Sequence, residues 1–156
     1  MTMQVESGIH RIVVGKSSLP GQYQPNTWLI IGDKAAALVD TGFAKKEHII
    51  ERLAIIRNIC TVPLVALVIT HRHHDHSGGA GPLREATGAP IVAHSVELEY
   101  LEQDEEERKA VKVDIAVEGG EVLDLGRLNL HYIHAPGHTL GSIVIFVPER
   151  GALFTG

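Results

Sequence analysis

Short runs of apolar, mostly β-branched residues alternate with polar and glycine-containing segments through the first half of the chain. Runs of this length and composition are typical of β-strands. The run over residues 63–69 is almost wholly apolar, which indicates a strand buried in a sheet. The strands predicted in this half are 9–14, 27–31, 36–39, 63–69 and 90–93, the second and third forming a hairpin around Gly32-Asp33-Lys34.

Helical periodicity separates some of these strands. Between residues 45 and 57, Ile49, Leu53 and Ile56 share one face, and most charged residues lie elsewhere, which predicts an amphipathic helix. A short helix is predicted over 82–87, because Pro82 suits a first helical turn and the glycine after Thr87 suits a C-terminal cap.

A third helix is predicted over residues 95–109, because Ser95 is a favourable N-cap. Its acidic run, 102–107, is interpreted as a solvated helix face or a connector rather than a lid. After residue 120 the pattern changes to short strands separated by turns, at 122–125, 128–134, 143–147 and 152–154. Strands mixed with helices, followed by a β-rich run, predict a single α/β layered domain (α+β layered) over residues 1–156, with two sheets.

Composition and charge narrow the possible functions. The net charge is −5 and no basic stripe occurs, so nucleic acid is not an expected partner. No apolar segment is long enough to cross a bilayer, and the N-terminal residues lack the basic patch and apolar core of a secretion signal. A cytoplasmic location is therefore expected, with the single cysteine, Cys60, as a small core residue.

A dense group of histidines follows the predicted strand over 63–69. The segment Thr70-His71-Arg72-His73-His74-Asp75-His76 contains four histidines and a carboxylate, and ligand sites collect at strand ends in α/β sheets. His71 and His73 are two residues apart, so in an extended segment they project to the same side. Imidazoles with a carboxylate suit zinc and also iron. The alternative is a polar loop without function, but a turn does not require histidines at this density.

A second informative segment is 135–142, in which a proline and two glycines bracket His138 in a tight loop. Together with His71 and His73, His138 would place three imidazoles around one ion and leave a fourth position for water. Three protein ligands with an open position are typical of a catalytic zinc ion, which lowers the pKa of its water to about 7.

Asp75 and His76 indicate a second, adjacent metal position. Asp75 would either bind that ion or accept a hydrogen bond from the attacking water, which makes it the candidate catalytic residue. Two zinc ions about 3.5–4 Å apart would polarise a carbonyl group and stabilise the departing anion. The other histidines are predicted to be packing, spacer or surface residues, with His94 as an alternative neighbour of the site and His134 able to shape the loop: His10, His48, His74, His94, His131 and His134.

The sequence resembles the metallo-β-lactamase-fold hydrolase superfamily, including glyoxalase II-like and lactonase-like members. The resemblance rests on three motifs: Val39-Asp40-Thr41-Gly42, His71-x-His73-x-Asp75-His76-x-Gly78-Gly79 and Pro136-Gly137-His138-Thr139. It implies an αββα sandwich that holds one or two Zn²⁺ ions, with iron or manganese as alternatives. It implies one metal on His71, His73 and His138 and a second held partly by Asp75 and His76. Asp40 is then a candidate for orienting a ligand histidine, and capping the turn after its strand is the structural alternative.

The resemblance also implies features beyond Gly156: an aspartate that bridges both metals, a further histidine, and the rest of the second half of the sandwich. The chain is therefore expected to be the N-terminal portion of a longer enzyme. An exposed sheet edge would favour homo-oligomers or chain exchange. With only Asp75 and His76 at the second position, we expect one tightly bound metal at most and little turnover.

The predicted function is hydrolysis of a small ester-like bond (thioester, lactone or β-lactam) by a zinc-bound hydroxide, with a small molecule as the substrate. The lack of an export signal favours thioesterase or lactonase activity over degradation of an antibiotic. One alternative is an iron enzyme resembling persulfide dioxygenases, in which His71 and His138 match the iron-binding histidines. A catalytically inactive metal-binding domain is another, and a nuclease is disfavoured by the acidic charge balance.

Overall fold

The computed structural model describes residues 2–15, 24–104 and 109–156. Within these residues the chain forms two β-sheets, one of seven strands and one of four. The strands are β1 (Thr2–Glu6), β2 (Ile9–Ile12), β3 (Thr27–Ile31), β4 (Ala36–Val39), β5 (Leu64–Val68), β6 (Ile91–His94), β7 (Ile115–Val117), β8 (Val122–Asp124), β9 (Asn129–His134), β10 (Ile143–Val147) and β11 (Ala152–Phe154). The α-helices are α1 (Lys46–Ile59), α2 (His74–Ser77), α3 (Ala80–Thr87) and α4 (Leu98–Leu101). In the described ranges, every helix is too short or too polar to span a bilayer.

The N-terminal sheet contains β1 to β7 in sequence order. Its first four strands pair antiparallel, whereas β4, β5, β6 and β7 pair parallel. Because parallel neighbours point the same way, β4, β5 and β6 all end at one end of the sheet. Asp40 directly follows β4, Thr70 lies just beyond β5, and His94 ends β6. Polar residues that are far apart in sequence therefore meet where ligand sites are common.

The central strands of the N-terminal sheet are buried on both faces. In β4, for example, Leu38 packs in the core beneath the helices, and the next residue, Val39, packs in the core between the two sheets. In β5, Leu67 and Val68 divide between the same two cores. This double burial explains why these strands appear in the sequence as continuous apolar runs rather than alternating patterns.

The C-terminal sheet contains β8 to β11 and is antiparallel. Ile143 and Ile145 of β10 face the core between the sheets. The opposite face includes Ile133 and Leu153, which are 44% and 53% exposed. In the ranges that the structure describes, no helix packs on this face, so the layers observed are helix, sheet and sheet. The expected self-association through an exposed sheet stays a prediction.

The α/β class with two sheets is confirmed, as are the hairpin of β3 and β4, helix α1 and the strands of the β-rich second half. The single helix predicted over 95–109 is wrong. A 3-10 turn (Ser95–Glu97) and α4 occupy its first part, and residues 105–108 lie outside the described residues. Beyond them, Val111 is buried in the helix-side core and donates its N–H to the carbonyl oxygen of Leu101, so the chain turns back towards α4.

Two strands, β1 and β7, were not predicted. Every residue of β1 is exposed, and β7 has only three residues, so neither carries a strong pattern of burial along the chain. β7 forms through pairing with β6, in which Val92 lies opposite Ile115 and His94 opposite Val117. Contacts across the sheet, rather than local sequence, determine these two strands.

Gly32 lies at the end of β3, where the two sheets approach each other. A β-carbon at this position would overlap the backbone carbonyl oxygen of Leu125 in the turn after β8. We therefore expect Gly32→Ala to lower the free energy of unfolding by about 1–3 kcal/mol, measured by urea denaturation.

The matched control is Gly81→Ala within α3, where the added carbon would meet only Val111 Cγ2 at 3.8 Å. Because alanine favours a helix over glycine, this variant should gain about 0.5–1 kcal/mol. Equal unfolding midpoints for the two variants would contradict the close approach at Gly32.

Candidate metal centre

The segments that carry the three motifs are joined directly at one end of the sheets. The N–H of Ile143, at the start of β10, donates to the carbonyl oxygen of Thr70 just beyond β5 (2.9 Å). The N–H and the hydroxyl of Thr41, after β4, donate to the carbonyl oxygen of His76 (2.7 and 2.8 Å). These bonds explain how the motifs at 39–42, 71–79 and 136–139 come to form one site.

Three histidines converge there: His71, His73 and His138. One ring nitrogen from each lies within 4.8 Å of the others, and Nδ1 of His73 is 3.0 Å from Nε2 of His138. The rings stand nearly perpendicular to one another, with centroids 4.7 to 4.9 Å apart. Nitrogens grouped this closely from three rings can bind one ion.

The hydrogen bonds of His71 direct one nitrogen towards this group. Its Nδ1 lies 3.1 Å from the hydroxyl oxygen of Thr70, and that hydroxyl donates to the carboxylate of Asp40 (2.9 Å). Since the hydroxyl proton is used, we assign Nδ1 of His71 as the donor to Thr70. Nε2 then carries the lone pair, and it is buried without a hydrogen-bond partner among the described residues.

The electrostatics of His71 also suit a metal ligand. Burial, together with the neighbouring His76, His73 and His138, lowers the pKa of His71 to about 3. The ring is therefore neutral at physiological pH, which is the form that binds metal. A neutral, buried and unpaired imidazole nitrogen beside two further imidazoles fits a zinc ion, with three protein ligands and one open position.

Asp75 and His76 lie next to this group. Nδ1 of His76 is 2.7 Å from Oδ2 of Asp40, and Nε2 is 3.4 Å from Oδ2 of Asp75. Burial alone would lower the pKa of His76, but its hydrogen bonds to the two carboxylates outweigh burial and raise the pKa to about 10. The ring centroid of His76 is 4.1 Å from that of His71. Within the described ranges, only the three-histidine group brings three ligand residues together, and Asp75 and His76 form an adjacent pair.

Asp40 is 2% exposed and has a φ of 60° at the end of β4. Its carboxylate accepts hydrogen bonds from the N–H and hydroxyl of Thr70 and contacts His76. These partners lie in the segment after β5 rather than in the turn that follows β4, and one of them is a candidate ligand histidine. Its role in orienting a ligand stays a prediction.

The remaining histidines lie outside the group of three. His94 stacks on His134 with ring centroids 4.1 Å apart, and Nε2 of His134 lies 2.9 Å from the carbonyl oxygen of Leu140. His134 thus contacts the loop that carries His138. His74 packs beside Phe43, with ring centroids 5.4 Å apart.

Sequence reasoning missed Glu97, which is buried and contacts both histidine-bearing loops. It stands in the segment predicted as a helix, before the acidic run at 102–107, where one more glutamate carries no signal. No local pattern marks it, because its role depends on contacts with two loops that are distant in sequence.

A cavity opens beside the candidate ligand histidines, and a second cavity opens beside His74. One, of about 330 Å³, is lined by His71, His76 and His138. The other, of about 520 Å³, is lined by Phe43, Ala44, Lys45 and His74. The candidate metal centre is therefore accessible to small molecules.

Comparison with known proteins decides the family. The model of the metallo-beta-lactamase superfamily matches residues 20–156, which is most of the chain. The chain belongs to the metallo-beta-lactamase superfamily. This membership confirms the resemblance in the three motifs, and the metal-binding character of the superfamily agrees with the group of three histidines.

Individual relatives add detail. A hydroxyacylglutathione hydrolase of Pseudomonas aeruginosa is 37% identical over 91 residues, which cover 58% of this chain and 31% of that protein. A hydroxyacylglutathione hydrolase of Brucella ovis is 31% identical over 131 residues, covering 84% of this chain and 46% of that protein. The chain thus spans less than half the length of these relatives.

Among solved structures, a metallo-beta-lactamase of Cronobacter sakazakii superposes with a TM-score of 0.79 at 19% identity. The superposition covers 94% of this chain and 59% of that one. At this identity the likeness establishes the fold alone.

Proposed function

We propose that the chain forms the metal-binding part of a hydrolase that cleaves a small ester-like bond, and that the bond is a thioester. The observation that supports this proposal is the convergence of His71, His73 and His138 beside an accessible cavity. Three imidazole ligands leave one coordination position for a reacting water molecule.

In the proposed reaction the ion would activate the water and the carbonyl group, and the protein would hold the ion and orient the water. A bound zinc ion would polarise a carbonyl group and lower the pKa of water to about 7. The three histidines would hold it, and the Thr70 hydroxyl would fix the ring of His71 through Nδ1. Asp75, beside His76, would accept a hydrogen bond from the attacking water and so orient it towards the substrate carbonyl.

We further propose that this chain binds one zinc ion tightly. The first position has three ligand residues, whereas Asp75 and His76 offer two ligand atoms to a second ion. Because an ion with two protein ligands is held weakly, the second position would fill only at high metal concentration, and turnover by this chain would be slow.

The choice of a thioester rests on the relatives. Both hydrolases described above act, by name, on hydroxyacylglutathione, which is a thioester, and they are 37% and 31% identical over the matched residues. The likeness to the Cronobacter β-lactamase supports the fold alone, at 19% identity. A thioester is also chemically suitable, because its thiolate departs readily once the carbonyl group has been attacked.

The proposal is tested with three substrates: a hydroxyacylglutathione, a simple lactone and a β-lactam. We expect the zinc-loaded chain to release thiol from the thioester, slowly but faster than it opens either ring, and we expect a chelator to stop the reaction. Thiol release is followed with a chromogenic reagent. Faster opening of the lactone or the β-lactam would overturn the choice of thioester. Oxygen consumption with a glutathione persulfide and iron would indicate dioxygenase chemistry instead.

A further inference from the structure

We propose that Glu97 is a positioning residue that fixes the distance between the two histidine-bearing loops of the metal centre. This inference rests on the proposed function, because it requires that His71, His73 and His138 bind the ion. Glu97 lies in the 3-10 turn after β6, and its side chain is 1% exposed. A fully buried carboxylate is costly unless several donors surround it.

The donors around Glu97 come from both loops. Oε2 accepts the backbone N–H of Arg72 (2.8 Å), the residue between His71 and His73. Oε1 accepts the backbone N–H of Gly141 (2.8 Å), three residues after His138. Each carboxylate oxygen therefore holds one of the two loops, and the carboxylate bridges them.

The charge of Glu97 is balanced from the same loop. Nη1 of Arg72 lies 3.3 Å from Oε1, and the guanidinium carbon is 4.1 Å from the centre of the Tyr100 ring. The ring of Tyr100 thus supports the guanidinium group that neutralises the carboxylate. Hydrogen bonds to a charged acceptor are about twice as strong as neutral ones, which suits a bond that must hold a loop.

On the side of the His138 loop, Gly141 packs closely against the Glu97 side chain. A β-carbon at residue 141 would lie 2.6 Å from both Cγ and Oε1 of Glu97, so only glycine permits this approach. Within the loop, the N–H of Thr139 donates to the hydroxyl of Ser142 (3.0 Å), and the N–H of Gly137 donates to the carbonyl oxygen of Thr139 (3.0 Å). These bonds make the segment from 137 to 142 a compact unit that transmits the anchoring of Gly141 to His138.

The bond from Ile143 to Thr70 also joins the two segments, but it lies at the strand ends. Glu97 acts nearer the candidate ligands, because it binds the N–H of Arg72, which lies between His71 and His73. Glutamine cannot replace it, because an amide has one acceptor oxygen and its NH₂ group would face a backbone N–H donor. Loss of either bond lets the loops separate, and ligand nitrogens must be held closely to bind zinc.

The test measures the zinc affinity of the purified chain by competition with a chromogenic chelator, and the thermal unfolding of the metal-free form. We expect Glu97→Gln to bind zinc about 10- to 100-fold more weakly than the unmodified chain. The matched control is Asp114→Asn at the other end of β6. Like Glu97, Asp114 accepts a backbone N–H, that of Ile91 (2.8 Å), and faces an arginine, Arg84 (Nη1 at 3.4 Å), but it is 34% exposed and lies at the end of β6 away from the candidate ligand histidines.

Asp114→Asn should lower the unfolding temperature of the metal-free chain and leave the zinc affinity unchanged. If Glu97→Gln cannot be purified folded, Gly141→Ala serves instead, since its added carbon displaces the carboxylate, and the same loss of affinity is expected. Unchanged affinity in the folded variant, or an equal loss in Asp114→Asn, would overturn the role of Glu97. Failure of the unmodified chain to bind zinc would instead overturn the proposed function, and this inference with it.

Discussion

Replacing His71 by alanine is expected to abolish tight zinc binding. The unmodified chain should retain about one zinc ion after gel filtration, and His71→Ala should retain less than about 0.1, because two remaining imidazoles do not complete a zinc site. His71 is the most informative of the three ligands to remove, since its Nε2 is buried and lacks a hydrogen-bond partner among the described residues. Elemental analysis of the eluted protein gives the zinc content of each form.

The control for this experiment is His131→Ala. His131 lies on β9 and packs towards Phe146, with ring centroids 6.5 Å apart, and it is not part of the three-histidine group. The zinc content of this variant should equal that of the unmodified chain. A full equivalent of zinc in His71→Ala would refute the proposed site. Two tightly held equivalents in the unmodified chain would refute the proposal of a single tight ion.

Replacing Asp40 by alanine is expected to lower the free energy of unfolding of the metal-free chain by about 3–5 kcal/mol. The substitution removes the acceptor for the N–H and hydroxyl of Thr70 and the partner of Nδ1 of His76. Thr70 is buried, so the loss leaves its N–H unpaired rather than hydrated. The φ of 60° at residue 40 adds strain for alanine, which tolerates this conformation less well than aspartate. Urea denaturation measures the effect.

Two further variants separate the causes. Asp40→Asn keeps the size of the side chain, one acceptor oxygen and a residue type that tolerates positive φ, so its loss of stability should be smaller. Asp33→Ala removes an exposed carboxylate that pairs with Arg127, and it should change stability by no more than about 0.5 kcal/mol. If Asp40→Ala proved as stable as Asp33→Ala, the network around Asp40 would not hold the site together.

Local patterns were sufficient for much of the fold. The apolar run over 63–69 and the amphipathic pattern over 45–57 each show in the sequence which residues are buried. The prediction therefore matches β5 and α1 to within a few residues. The segment after β6 was misjudged because its structure depends on distant contacts. Helix α4 ends at Leu101, and Val111 then packs in the core and donates its N–H back to Leu101, which are contacts that the local sequence does not indicate.

Some residues of the candidate site could be predicted from the sequence and others could not. Residue type and spacing indicated His71 and His73, and the glycine-bracketed loop indicated His138, which the structure brings to the same place. The spacing of residues could not indicate Glu97, because its proposed role depends on hydrogen bonds from Arg72 and Gly141, which are far apart in sequence. Positions that act by bridging two segments are visible only once the topology is known.

The shared carboxylate of Asp40 has a consequence for metal titration. Through the Thr70 hydroxyl it reaches His71, and directly it contacts His76, so one negative charge serves histidines of both candidate ion positions. Any ion that draws electron density from one ring alters the proton affinity of the other. If ions bind at both proposed positions, their occupancies would be thermodynamically linked, and successive equivalents would not titrate as independent events.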